Sequence, residues 1–155
     1  MTAADAEKLG IDQHWRYLSV DDGKANMAPL ADRKWFKLES VLLGNGTDLY
    51  PDGDNVGVVT RWTPPDHTAG ITGADFDRCA AAIRAGKWKA SPQAKDWIGL
   101  PVAKMLGLDL GTKTDRAKVR ALLEMWLKAG SLCEEEEHDE KQRRKKKFIK
   151  VADGD

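Results

Sequence analysis

The chain has 155 residues, 41% of them apolar, enough for one ordinary core or two small ones with no disulfide or metal to hold it together. Its 25 basic and 25 acidic residues cancel, so net charge makes no case for a nucleic-acid or membrane partner, and any such case must come from how the charges are placed. No apolar run approaches the about 18 residues of a membrane span, and the start MTAADAEKLG lacks a basic stretch followed by an apolar one, which predicts a cytoplasmic protein without a signal peptide.

Ala3 to Leu9 reads as a short helix stopped by Gly10. Trp15, Tyr17, Leu18 and Val20 then suggest a strand that ends in the polar turn DDGKAN. WFKLESVLL, from Trp35 to Leu43, has a strand's length and mixes apolar with polar residues, although its last three positions are all apolar. Gly44-Asn45-Gly46 breaks it, a loop containing YPDGDN follows, and VGVVTRW from Val56 to Trp62 is the returning strand, with Trp35 and Trp62 able to pair across the ribbon. Two strands alone are marginal, so this ribbon needs a further packing partner.

From Gly70 the pattern turns helical. Thr72 stands three residues before Asp75 in a capping-box arrangement, and Phe76, Cys79, Ala80 and Ile83 follow at helical spacing up to Gly86. KWKA is extended enough for a small strand. Ser91-Pro92 offers a cap and a first-turn proline for a second helix carrying Trp97, Ile98, Val102 and Leu106, with Pro101 predicting a kink or two short pieces. The two cysteines, Cys79 and Cys133, belong to no C-x-x-C pair and read as free thiols.

GLDLGTKT, residues 107–114, approaches the phosphate-binding pattern G-x-x-x-x-G-K-[ST], but Thr112 replaces the glycine before Lys113. The preceding PVAKMLG is helical where a phosphate loop needs a strand, and no acidic strand end offers a magnesium partner, so no ATPase is expected. Thr112, followed by Asp115, is instead the predicted cap of a third helix, Lys113 to Ala129, with an apolar stripe of Val119, Leu122, Leu123, Trp126 and Leu127. At about 100° per residue, Lys113, Arg120, Glu124 and Lys128 fall on the opposite side, Arg116 near one edge and Lys118 near the other. Any surface helix shows such a charged face, so by itself it is only a solvated surface.

SLCEEEEHDEKQRRKKKFIKV follows, with acids first and bases second. It is either a zwitterionic disordered tail or a hairpin turning near HDEKQ, which sets glutamates across from lysines and brings Leu132 and Cys133 near Phe148, Ile149 and Val151. With the hairpin, the order becomes helix, short strand, helix, helix, hairpin. The expected fold class is therefore α+β, a winged helix of three helices and a β-hairpin wing, preceded by a small N-terminal β-containing extension. In such a fold Lys113, Arg116, Lys118 and Arg120 lie on the groove-facing helix, and Arg143, Arg144, Lys145, Lys146 and Lys147 lie on the wing, so double-stranded DNA is the expected partner. The acidic first wing strand repels phosphate, and winged helices also dock proteins, so a protein-interaction module is the alternative and a transcriptional regulator a weaker one.

DDGKANMAP, WFKLESVLLGNG, DNVGVVTRWTPP, SPQAKDWIGLPVAKMLGL and the ending GSL with DEKQRRKKKFIKV together resemble the C-terminal third of RepA-like AAA ATPases, hexameric helicase relatives of phages, plasmids and bacterial genomes. The resemblance spans about residues 13 to 151, with the phrases in the same order. It implies that residues 1–31 form the edge of a RecA-type core, 32–65 a β-ribbon, 70–151 an appended winged helix and 152–155 a tail. It also implies a partner such as a helicase or other replication factor, and polar residues, here Lys24 and Asn26, near a subunit boundary. The chain departs from the family in lacking Walker A and Walker B segments, which implies a non-enzymatic protein.

No cofactor or metal is expected. His14, His67 and His138 have no ligand spacing. Asp48, Asp52 and Asp54 lack the phased ligands and final glutamate of a calcium loop. No Ser-His-Asp or Cys-His constellation can be argued from spacing. Trp97 and Trp126 fall on predicted helix core faces.

Overall fold

A computed structural model describes residues 1–21, 33–139 and 144–152, among which the fold is mixed α+β with four α-helices and two three-stranded antiparallel sheets. Lys24, Asn26, most of the DDGKAN turn, the tip of the predicted hairpin and Arg143 lie outside the described residues. The chain divides into two compact units, Met1–Ala6 with Ile11–Pro65, and Glu7–Gly10 with Asp66–Asp155.

Helix α1 (Ala3–Leu9) gives its first residues to the first unit and its last to the second. Thr2 and Asp5 cap it reciprocally: the Thr2 hydroxyl accepts from the Asp5 amide at 3.1 Å, and the Asp5 carboxylate accepts from the Thr2 amide at 3.2 Å. In the first unit a 3-10 turn, His14–Arg16, leads into β1 (Tyr17–Val20), which pairs with β2 (Lys34–Leu42), which in turn pairs with β3 (Asn55–Trp62). The segments 1–31 and 32–65, separated in the sequence reading, thus contribute to one sheet. Trp35 and Trp62 are direct cross-strand partners, as the sequence suggested. Apolar residues stand on both faces of the ribbon, Val41 opposite Val56 on one and Leu38 opposite Val59 on the other, and all are exposed. That explains the uneven apolar pattern at the end of WFKLESVLL: these positions are exposed on both faces, so no strict alternation is imposed there.

The second unit holds the main core. Helix α2 (Gly73–Arg84) carries the predicted capping box in full, Thr72 and Asp75 bonding each other's amides at 3.3 and 2.9 Å. These bonds from Thr72, with Arg78 adding to them, hold the Asp75 carboxyl at about 2. Strand β4 (Trp88–Lys89) is the short extended segment expected at KWKA. Helix α3 (Gly99–Leu106) begins well after Ser91-Pro92, a correction to the predicted start: residues 91–97 make successive turns, with the Ala94 amide on the Ser91 carbonyl and the Trp97 amide on that of Ala94. Pro101 consequently sits in the first turn of α3, where its missing N–H costs no hydrogen bond, and no kink is required. Gly107 ends α3 at φ 65°, a left-handed cap that other side chains adopt at a cost.

Helix α4 (Lys113–Lys128) follows, then β5 (Leu132–Asp139) and β6 (Arg144–Val151), an antiparallel pair to which β4 adds on the free side of β6. Ile83, Ile98, Val102, Val119 and Leu122 are the fully enclosed centre, with Trp97 and Trp126 on its wall and Leu132 and Ile149 closing it from the hairpin. Phe148, expected beside Leu132, is buried elsewhere: strand alternation puts it on the face opposite Ile149, where the Lys89 ammonium lies 6.0 Å from its ring centroid.

Candidate nucleic-acid interface

The near-miss phosphate loop is a knot of local hydrogen bonds between two helices. The Asp109 carboxylate accepts from the Gly111 amide at 2.8 Å, and the Asp109 carbonyl accepts from the Thr112 amide at 3.0 Å. The Thr112 hydroxyl accepts from the Asp115 amide at 3.1 Å, capping α4 as predicted. Asp115 does not complete a capping box; its carboxylate turns to the Asp109 amide at 2.9 Å.

Three of the four basic residues proposed to read DNA from α4, Lys113, Arg116 and Arg120, have partners within the chain. Arg116 directs Nε and Nη2 to the Leu110 carbonyl at 3.2 and 2.8 Å, tying the helix to the turn before it. Arg120 Nη1 lies 2.6 Å from Glu7, whose carboxyl is lowered by that contact, and Arg120 Nε is buried with no hydrogen-bond partner among the described residues. Gly10 sits so close to the first turn that a Cβ on it would come within 2.7 Å of the Thr114 Cα. Ala117 is correspondingly buried, on the side of α4 that the helical wheel assigned to solvent. Lys113 opens the helix and is itself engaged. Lys118 is half-buried and, among the described residues, makes no ion pair.

On the hairpin, β5 runs against β6 in the register Glu136 to Lys147 and Glu137 to Lys146. The ion pairs run diagonally: Lys147 meets Glu134 at 3.0 Å, and Lys150 meets both Glu135 and Glu137 at 2.6 Å, with Lys87 adding a contact to Glu137 at 3.1 Å. Glu134 raises the Lys147 ammonium, while Lys150 and then Lys87 lower the Glu137 carboxyl. The acids that would repel phosphate are therefore partly neutralised within the hairpin. Lys145, exposed, and Lys146, half-buried, form no ion pair among the described residues. Of Arg144, β6 fixes the backbone position.

Lys145, Lys146 and Lys147 line an open groove of about 570 Å³ together with Lys89, Ser91 and Gln93. The groove exists because β4 covers only the Phe148–Ile149 end of β6, with one further bond from the Ala90 amide to the Lys147 carbonyl. Lys89 is buried and paired with Asp96 at 3.0 Å. Sequence reasoning named the lysines of β6 but missed Ser91, Gln93 and Lys89, because only the β4–β6 pairing brings residues 89–94 beside 145–147.

Among the described residues no group of three or more His, Cys, Asp or Glu is placed to hold a metal ion, and no helix is long and apolar enough to cross a membrane. No protein-family model, curated protein or solved structure matches the chain.

Proposed function

We propose that the second unit is a winged helix that binds double-stranded DNA through the phosphate backbone, in a chain that is itself non-enzymatic and akin to the tail of a RepA-like replication ATPase. The observation that carries this reading is the element order α2-β4-α3-α4-β5-β6 combined with the sheet order β4-β6-β5, the order a winged helix calls for, with Lys145 and Lys146 beside a groove and without an ion pair among the described residues. Contacts of this kind position a protein on a duplex without reading its sequence, so the proposed binding is strong at low salt and weakly selective. Fluorescence anisotropy with labelled duplexes at low salt tests it: binding is expected, weakened for every duplex by Lys145→Glu/Lys146→Glu.

A second reading, docking on a helicase or other replication factor, is favoured by the state of α4. Arg116 and Arg120 are committed to Leu110 and Glu7, which leaves that helix poorly equipped to read bases. Absence of binding to any duplex at low salt would move this reading to the front.

A further inference from the structure

We infer that the first unit carries a site for single-stranded nucleic acid, in the groove at the Trp35–Trp62 end of its β-ribbon. This site is independent of the duplex reading, since it lies in the other unit. The groove has a volume of about 390 Å³, and Arg33, Lys34, Trp35, Arg61 and Trp62 line it, with no carboxylate among the described lining residues.

The rings are held in place without being enclosed. Trp35 and Trp62 face each other across β2 and β3 with centroids 6.2 Å apart at 83°, and Tyr17 meets Trp62 edge-on at 4.6 Å. Both tryptophans are only half-buried. Arg33 stands 5.6 Å from the Trp35 centroid and is anchored by Asp21 at 2.8 Å. Lys34 and Arg61 are exposed and form no ion pair among the described residues.

Fixed indole rings beside Lys34 and Arg61, which no described carboxylate pairs, suit a ligand that offers flat aromatic faces and regularly spaced negative charge. Single-stranded nucleic acid offers both, because every base has a π-face and every linkage a phosphate. A duplex hides its base faces in the stack, and an acidic peptide lacks them. The far end of the ribbon carries Asp48, Asp52 and Asp54 in its connecting turn, so along this unit a polyanion is attracted to the tryptophan end and repelled from the other.

The test uses the full chain, with oligo-thymidylate and oligo-uridylate as probes and quenching of tryptophan emission as the readout. At least one probe should bind with quenching, and the stronger of the two distinguishes DNA from RNA as the source of the ligand. Lys34→Ala/Arg61→Ala, both surface changes, should flatten the slope of log affinity against log salt by about 1.4, since two contacts to a single strand are lost. Trp62→Ala should weaken binding about five- to 150-fold, the range of one lost base–aromatic stack. Lys145→Glu/Lys146→Glu should leave the affinity read by tryptophan quenching within about twofold, as these lysines belong to the other unit and share no partner with the groove. The proposal is overturned if neither probe binds at low salt, if Lys34→Ala/Arg61→Ala keeps the wild-type slope, if the wing variant loses the binding instead, or if polyglutamate displaces a probe as well as unlabelled oligonucleotide does.

Discussion

Asp75 shows how one side chain links sequence to stability. Its carboxyl is held at about 2, against an ordinary 3.8, by hydrogen bonds that exist only once Thr72 caps α2. A carboxyl depressed by folding contributes stability that is fully present above its unfolded value and is lost as pH falls through its folded one. Wild type should therefore lose stability between about pH 4 and pH 2, and Asp75→Asn should flatten that acid limb, as read from urea midpoints across the range. An unchanged acid limb in the variant would count against the cap as a source of pH dependence. Arg120 carries a different lesson. The sequence places it among base-reading candidates, whereas its partner is Glu7, separated from it by most of the chain. Arg120→Ala should leave relative affinities among duplexes within about twofold of wild type, the range of an ordinary surface change. It should also be non-additive with Glu7→Ala in stability, because each change removes the same contact. Loss of sequence preference on Arg120→Ala would return α4 to the role of a groove reader.

At the scale of elements, the hairpin decides whether the last sixth of the chain is structure or tail. Ile149 is buried from the β6 side against the core that α2, α3 and α4 enclose. Ile149→Ala should thus cost about 2–5 kcal/mol, the range for truncating an enclosed aliphatic side chain, measured by urea unfolding. A disordered tail would show no change. Much of this was legible beforehand. Thr72 and Thr112 announce two helix starts through cap chemistry confined to four residues, and α4 through its apolar stripe. The start of α3 was not legible: Ser91-Pro92 fits a helix start and a turn equally well, and the pairing of Lys89 with the 96–98 segment selects the turn. The face on which Phe148 is buried escaped, because which face of a strand meets the core depends on register, and one residue of slip exchanges the faces.

At the scale of the molecule, function turns on which cations remain for a partner once the fold has used the others. Counting bases along the sequence overstates the supply: Lys147, Lys150, Arg116 and Arg120 all have partners in the chain. Lys145 and Lys146 on the hairpin make no ion pair among the described residues. In the first unit Lys34 and Arg61, beside two tryptophans, likewise make no ion pair among the described residues. The most direct test of the central claim is the salt dependence of duplex affinity for wild type and Lys145→Ala/Lys146→Ala. If these lysines hold phosphates, the double variant should reduce the slope of log affinity against log salt by about 1.8, two counterions' worth, and weaken all duplexes alike. An identical slope for the two proteins would contradict the account.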